Sequence, residues 1–145
     1  MAVTTLPRKT KPGKTQVKYR DFDIAFKAHP VTGKLVIKKD RDSIKQALKY
    51  LVLTNTYERV FKPTLGTNIR AKLFENFDRF IESDIQYTIE VAIKEFEPRV
   101  SIVGQDLGVF VSAKPDTNTL IVTIKYVDIA TMQSEYINVN LDRIR

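Results

Sequence analysis

The chain has 145 residues, with 24 Lys+Arg against 17 Asp+Glu for a formal net charge of +7, and it contains no cysteine. Disulfides, thiolate metal sites and cysteine nucleophiles are thereby excluded. No apolar run approaches the roughly 18 residues of a membrane-spanning helix, and a 43% hydrophobic composition predicts a soluble, globular chain.

The positive charge is unevenly placed. Arg8, Lys9, Lys11, Lys14, Lys18 and Arg20 lie in the first 20 residues without a single acidic partner, whereas residues 21–145 hold 18 basic against 17 acidic side chains. This distribution predicts a basic arm, residues 1–20, on a near-neutral body, and it points first to docking on an acidic partner surface. Pro7, Pro12 and Gly13, with Thr4, Thr5, Thr10 and Thr15, offer too little apolar surface to offset ordering entropy, so the arm is expected to be disordered until bound. Extended, it would reach roughly 60–70 Å at about 3.3 Å per residue. A solvated terminus without a role is the plainer alternative. No apolar segment follows the basic residues, so a secretory signal is not expected.

Residues 21–145 have the size of one domain. Asp21-Phe22-Asp23-Ile24 leads through Phe26 to a turn at His29-Pro30-Val31-Thr32-Gly33, followed by a short extended segment from Leu35 to Ile37. From Asp40 or Asp42, either a possible N-cap, Ile44, Ala47, Leu48 and Leu51 recur at helical spacing, which predicts a helix ending near Leu53 or Thr54. Pro63 and Gly66 mark a loop, after which Thr67 could cap a short helix carrying Ile69, Leu73 and Phe77. The strongest period follows, with Ile81, Ile85, Ile89, Ala92, Ile93 and Phe96 forming one stripe of a helix over 80–96 that Pro98 stops. Beyond it the period falls to two. Strands are predicted at 100–103, 108–111, 120–126 and 136–139, with a turn at 115–118. Helices first and a mainly antiparallel sheet second is an α+β arrangement.

Catalytic patterns are weak. His29 is the single histidine and precedes a proline, which favours a turn role and leaves no histidine set for a metal within one chain. The serines lack a nearby base in an elbow-like glycine context, and the five glycines are isolated, so no phosphate-binding loop is expected. Glu82, Asp84, Glu90, Glu95 and Glu97 could in principle supply an acid–base pair for glycoside hydrolysis. Asp84, Glu90 and Glu95 point away from the apolar stripe, however, and Glu82 sits where a carboxylate complements the helix dipole.

Two charged groups around prolines stand out. Glu97-Pro98-Arg99 sits where the long helix gives way to the sheet: Arg99 can fork onto a carboxylate or carbonyls, Pro98 fixes the backbone, and Glu97 can accept from another arginine. Its plainer reading is a helix stop with two surface charges. The second group is Glu58-Arg59-Val60-Phe61-Lys62-Pro63 with Leu65-Gly66-Thr67, which alone would be read as a loop.

In order and content these segments resemble the baseplate wedge family that initiates the tail sheath of contractile bacteriophages, with a counterpart in type VI secretion baseplates. The residues that carry the resemblance are Asp21-Phe22-Asp23, His29-Pro30-Val31-Thr32-Gly33, Leu53-Thr54, the stretch from Glu58 to Gly66, Leu73-Phe74 and Glu97-Pro98-Arg99-Val100. They span roughly residues 21–127. One departure is Tyr57, where the family usually has glycine, so a position permissive for positive φ is lost. The resemblance implies a non-enzymatic virion protein without a cofactor, assembled in the host cytoplasm, and related to proteins that are lysozyme-like in name only. It implies that Glu97, Pro98 and Arg99 engage other wedge subunits and that the β-rich half templates the sheath protein by strand addition.

From the residues themselves, Ile137 and Val139 in the strand nearest the C-terminus alternate cleanly with Asn138 and Asn140, which predicts a peripheral strand suited to strand addition. The strand over 120–126, apolar on both faces, is expected to be internal and packed between layers. Glu58 and Arg59 are further candidate contacts, and Arg8, Lys9 and Lys11 are candidates for reaching tail tube or hub proteins. A nucleic-acid-binding module using the arm is the alternative, opposed by the neutral body and by aromatics not interleaved with Lys or Arg.

Overall fold

A computed structural model describes residues 18–73, 79–114 and 119–142. The described chain forms two compact units that divide between Asp40 and Arg41. In the first, β1 (Arg20–Phe22) pairs antiparallel with β2 (Ile37–Lys39), with Phe22 opposite Ile37. Asp40 ties off this hairpin, its Oδ1 accepting the amides of Lys18 and Tyr19 at 2.8 and 2.9 Å. Lys18 and Arg20, placed with the arm by their charge, therefore belong to the hairpin unit. His29 has the turn role expected of it: its carbonyl accepts the Gly33 amide at 2.9 Å, and its Nδ1 accepts the Val31 amide at 3.3 Å.

The second unit carries α1 (Asp40–Leu53) from Arg41 onward, α2 (Ile69–Lys72), α3 (Arg79–Phe96) and the strands β3 (Val100–Ser101), β4 (Gly108–Lys114), β5 (Thr119–Asp128) and β6 (Gln133–Asp142). This is the expected α+β order. Ile44, Leu48, Leu51 and Val52 of α1 recur three to four residues apart and are buried, as are Ile85, Ile89, Ala92 and Ile93 of α3. Pro98 ends α3 as predicted, and the last helical bond before it runs from the Glu97 amide to the Ile93 carbonyl at 2.9 Å.

The short helix starts differently from expectation. Asn68, with φ +51°, precedes α2 without a side-chain cap bond. Thr67 instead donates its Oγ1 to the Val52 carbonyl at 2.9 Å and its amide to the Thr54 carbonyl at 3.0 Å. It joins the end of α1 to the segment that enters α2, with left-handed Asn68 between Thr67 and the helix. Phe77 lies outside the described residues.

In the sheet, β5 is central: β6 lies along one side, and β4 and the short β3 share the other. Val122, for example, faces Val111 on β4 and Val139 on β6. The even-numbered residues Leu120, Val122, Ile124 and Tyr126 of β5 are buried together with Val109, Val139 and Leu141, and α3 packs against β4 on this covered side. The opposite face departs from the expectation of two layers. Ile121, Thr123 and Val127 are only half-buried there, and Lys125 lays its ammonium over the exposed Phe110 ring at 5.0 Å. Among the described residues β5 is thus internal by lateral pairing, not by being sandwiched.

Candidate functional site

The corner after α3 closes on itself. Glu97 is buried, and Arg99, two residues on, grips it with Nε to Oε1 at 2.5 Å and Nη2 to Oε2 at 2.7 Å. The fork forms because Pro98 fixes the backbone between the two side chains and turns them to the same side. Sequence reasoning has Glu97 accepting from another arginine; in the fold each of its oxygens accepts one bond from Arg99 of the same corner. Arg99 also points Nη1 at Ser43 Oγ of α1, 3.5 Å away, and its carbonyl accepts the Ile129 amide at 3.1 Å. Pro98 itself is exposed.

Further polar contacts brace the same end of the sheet. Arg41 Nε and Lys45 Nζ of α1 each lie 2.9 Å from a Glu135 oxygen on β6, and Arg41 Nη2 donates to Gln133 Oε1 at 2.5 Å. Buried Asp128 organises the β5–β6 turn, accepting the Ala130 amide at 2.9 Å, the Thr131 hydroxyl at 2.8 Å and, through its carbonyl, the Met132 amide at 2.7 Å. Between these groups lies Tyr126, whose buried hydroxyl has no partner among the described residues. Burial, reinforced by the Glu135 and Asp128 carboxylates, pushes its pKa up to about 12, so the phenol stays protonated throughout the physiological range. A sequence reading misses Ser43 and Glu135 because each is defined by a partner distant in the chain; Asp128, bonded to the residues that follow it, carries the local signal of an Asp at the mouth of a turn.

The loop after α1 is the second predicted group. Glu58 turns back, its Oε2 accepting the Asn55 amide at 2.9 Å, while Arg59 and the rest of 57–64 are exposed. Tyr57, which stands where the resemblance expects glycine, nonetheless has φ +66° and donates its amide to the Pro63 carbonyl at 2.7 Å. The loop thus keeps the glycine-type turn at the cost of a left-handed non-glycine residue, about 1–2 kcal/mol. Tyr57→Gly is expected to raise stability by about 0.5–1 kcal/mol, since glycine's greater unfolded-state entropy offsets part of the relief. A higher urea midpoint with an unchanged m-value would show it. Gly66 is fixed by space as well as φ: a Cβ there would fall 2.6 Å from the Thr54 carbonyl oxygen.

The third group is the edge of β6, peripheral as predicted and unpaired on its outer side among the described residues. Its backbone orientation follows from two hydrogen bonds. On β4 the Ala113 amide donates to Glu82 Oε1 of α3 at 2.9 Å, so Ala113 faces away from β5. Its partner Leu120 must then direct its amide and carbonyl towards β6, as must every even residue of β5. The Ile129 amide, bonded to the Arg99 carbonyl on the β3 side, fits the same alternation. Across β6 it follows that Glu135, Ile137, Val139 and Leu141 bond to β5, while Ser134, Tyr136, Asn138 and Asn140 present their amides and carbonyls outward. Ile137 and Val139 belong to the covered face and the β5 ladder, and the edge proper lies one residue to either side. The β4 edge differs, because Glu82, expected only to complement the helix dipole, occupies one of its outward donors. Arg8, Lys9 and Lys11 lie outside the described residues.

No group of three or more His, Cys, Asp or Glu side chains able to hold a metal occurs among the described residues, and none of their helices is long and apolar enough to cross a membrane.

A helix-to-strand corner, a braced sheet end and an open sheet edge define a scaffold whose surfaces suit protein contacts, and the profile of the family described as "Baseplate wedge protein gp25" matches residues 38–133. The chain belongs to this family. Baseplate wedge protein gp25 of Enterobacteria phage T4 is 33% identical to it over 84 residues, a match covering 58% of this chain and 61% of that relative's length. The fold recurs in a chain named as a tail lysozyme from Geobacter sulfurreducens, with TM-score 0.66, 18% identity and coverage of 77% of this chain and 98% of the other. It recurs in the anti-feeding prophage baseplate, with TM-score 0.59, 17% identity and coverage of 84% and 83%, and in the type VI secretion baseplate complex, with TM-score 0.56, 10% identity and coverage of 68% and 89%.

Proposed function

We propose that the chain is a structural wedge subunit of a contractile phage tail baseplate, located in the virion, which binds other wedge subunits and starts the tail sheath by strand addition along β6. The observation that carries this reading is the contrast between the two sheet edges: β4 has an outward amide occupied by Glu82, whereas β6 is unpaired on its outer side among the described residues. An unpaired edge recruits an extended segment through main-chain hydrogen bonds. The exposed Pro98 and the rim of the Arg99 guanidinium, held in place by Glu97, would contact neighbouring wedge subunits. Family membership supports assembly rather than catalysis, and the internal use of Glu82, Asp84 and Glu97 in hydrogen bonds and ion pairs supports it as well.

Co-expression with the other baseplate subunits and the sheath protein, followed by affinity capture, tests the proposal; failure to retain any of them would reject it. The basic arm adds a second expectation. Deleting residues 2–17 should leave the melting temperature unchanged and weaken capture of acidic tail tube or hub subunits, with the difference vanishing at high salt because the contact is electrostatic. Undiminished capture at physiological salt would contradict a docking role for the arm. Retention on DNA that fades steeply with salt, without retention of tail proteins, would favour a nucleic-acid-binding arm.

A further inference from the structure

The loop between α1 and α2 exposes Val60 by 88% and Phe61 by 96%. An isolated exposed apolar residue needs no account, but two adjacent ones at the tip of a braced loop do. The bracing runs on both flanks. The Tyr57 amide reaches the Pro63 carbonyl, the Glu58 amide the Asn55 carbonyl at 3.3 Å, and the Lys62 amide the Arg59 carbonyl at 3.3 Å. At the base, Thr67 is buried and bonded to Val52 and Thr54, and Gly66 lies too close to the Thr54 carbonyl for a side chain. The tip is therefore presented on a preorganised frame held together despite the left-handed Tyr57, and none of these bonds serves to bury Phe61.

Charge gives the tip a direction. The Glu58 carboxylate is turned inward onto the Asn55 amide, which leaves Arg59 and Lys62 as the charges flanking Val60 and Phe61. Neither cation pairs with a carboxylate of this chain among the described residues. The presented surface is an aromatic knob between two cations, complementary to an apolar socket with carboxylates at its rim. Aromatic anchors in such sockets dominate interface energies, and preorganisation lowers the entropy lost on docking.

We propose that Phe61, supported by Val60, is an anchor that inserts into an acidic-rimmed apolar socket on a neighbouring protein subunit. This rests on the reading of the chain as an assembly subunit and adds the contact by which it is gripped. The test measures binding of the full chain to the co-expressed baseplate subunits. Phe61→Ala should weaken it roughly 30-fold with an unchanged melting temperature, because the side chain contributes nothing to the core. Phe61→Leu should keep most of the affinity. Arg59→Glu combined with Lys62→Glu should weaken binding at low salt and much less at high salt.

Binding of Phe61→Ala within twofold of the unaltered chain would overturn the anchor and leave the wedge reading standing. If the unaltered chain joins no subunit at all, the wedge reading falls and the anchor with it. Capture of the chain by phosphatidylglycerol vesicles in a Phe61-dependent manner would make the tip a membrane contact instead. A dimer of the isolated chain that Phe61→Ala abolishes would place the socket on a second copy. Either result overturns the proposal.

Discussion

Replacing Arg99 by alanine is expected to lower the unfolding free energy by about 3 kcal/mol, because it strands the buried Glu97 carboxylate without its bidentate partner. The pair is not fully sealed from solvent, with 26% of the Arg99 side chain exposed against 7% of Glu97, so the low end of the range for breaking a buried pair applies. The loss should be reversible by design. Arg99→Ala combined with Glu97→Leu removes both charges from the corner and should recover most of the stability, since an apolar replacement of a buried pair is often neutral. Urea denaturation of the two single variants and the double variant gives the coupling directly. Equal stability of Arg99→Ala and the unaltered chain would mean that the fork is not a structural clamp, and the corner would then be left to its partners alone. Its role in wedge binding is best read with the double variant, which keeps the fold while removing the charges.

Proline at Asn138 and proline at Val139 should have opposite consequences although the residues are adjacent. The Asn138 amide faces outward from β6, so Asn138→Pro removes one donor of the open edge and leaves the β5 ladder intact, as an edge strand tolerates. The expected result is a folded chain with unchanged circular dichroism on which the sheath no longer polymerises. Val139 is buried and its amide faces Val122. Val139→Pro leaves a carbonyl of β5 without a donor, about 1–3 kcal/mol in itself, and loses the packing of the valine as well. Its expected signature is a lower melting temperature even in the isolated chain. Normal sheath growth on folded Asn138→Pro would move strand addition away from this edge.

The contrast between these two prolines shows where the sequence is legible and where it stops. The alternation of Ile137 and Val139 with Asn138 and Asn140 fixes which side chains are covered, since successive Cβ atoms point to opposite faces. It cannot tell which amides point outward, because side chains alternate across the sheet while peptide groups alternate within its plane. That second alternation is set by the register with β5 and became readable only through the Ala113–Glu82 bond. The helices were legible for a related reason. Ile85, Ile89 and Ile93 bury one stripe whatever they pack against, and Pro98 ends α3 by local chemistry. Thr67 shows the limit of local rules: its capping chemistry is real, but the nearby Val52 and Thr54 carbonyls claim its hydroxyl and amide.

The corner was visible as a motif but not as a geometry. Glu97-Pro98-Arg99 announces a charged turn, yet whether the two charges face outward to a partner or inward to one another depends on Ser43 and Ile129, which lie 56 and 30 residues from Arg99 in the chain. Tyr57 reads as a lost glycine by its residue type, whereas the structure holds the glycine conformation, with the Tyr57 amide bonded to the Pro63 carbonyl across the loop. Phe61 reads from the sequence only as part of a loop, since near-complete exposure is a property of the folded surface.

Amide-resolved hydrogen exchange along β6 tests the account most directly, comparing the free chain with the chain in sheathed baseplates after quenching and dissociation. In the free chain the amides of Ile137, Val139 and Leu141 should already be slow and those of Tyr136, Asn138 and Asn140 fast; on sheath assembly the second set should become slow. If Tyr136, Asn138 and Asn140 exchange as quickly in the sheathed baseplate as in the free chain, no strand has been added to this edge and the account of sheath initiation is wrong.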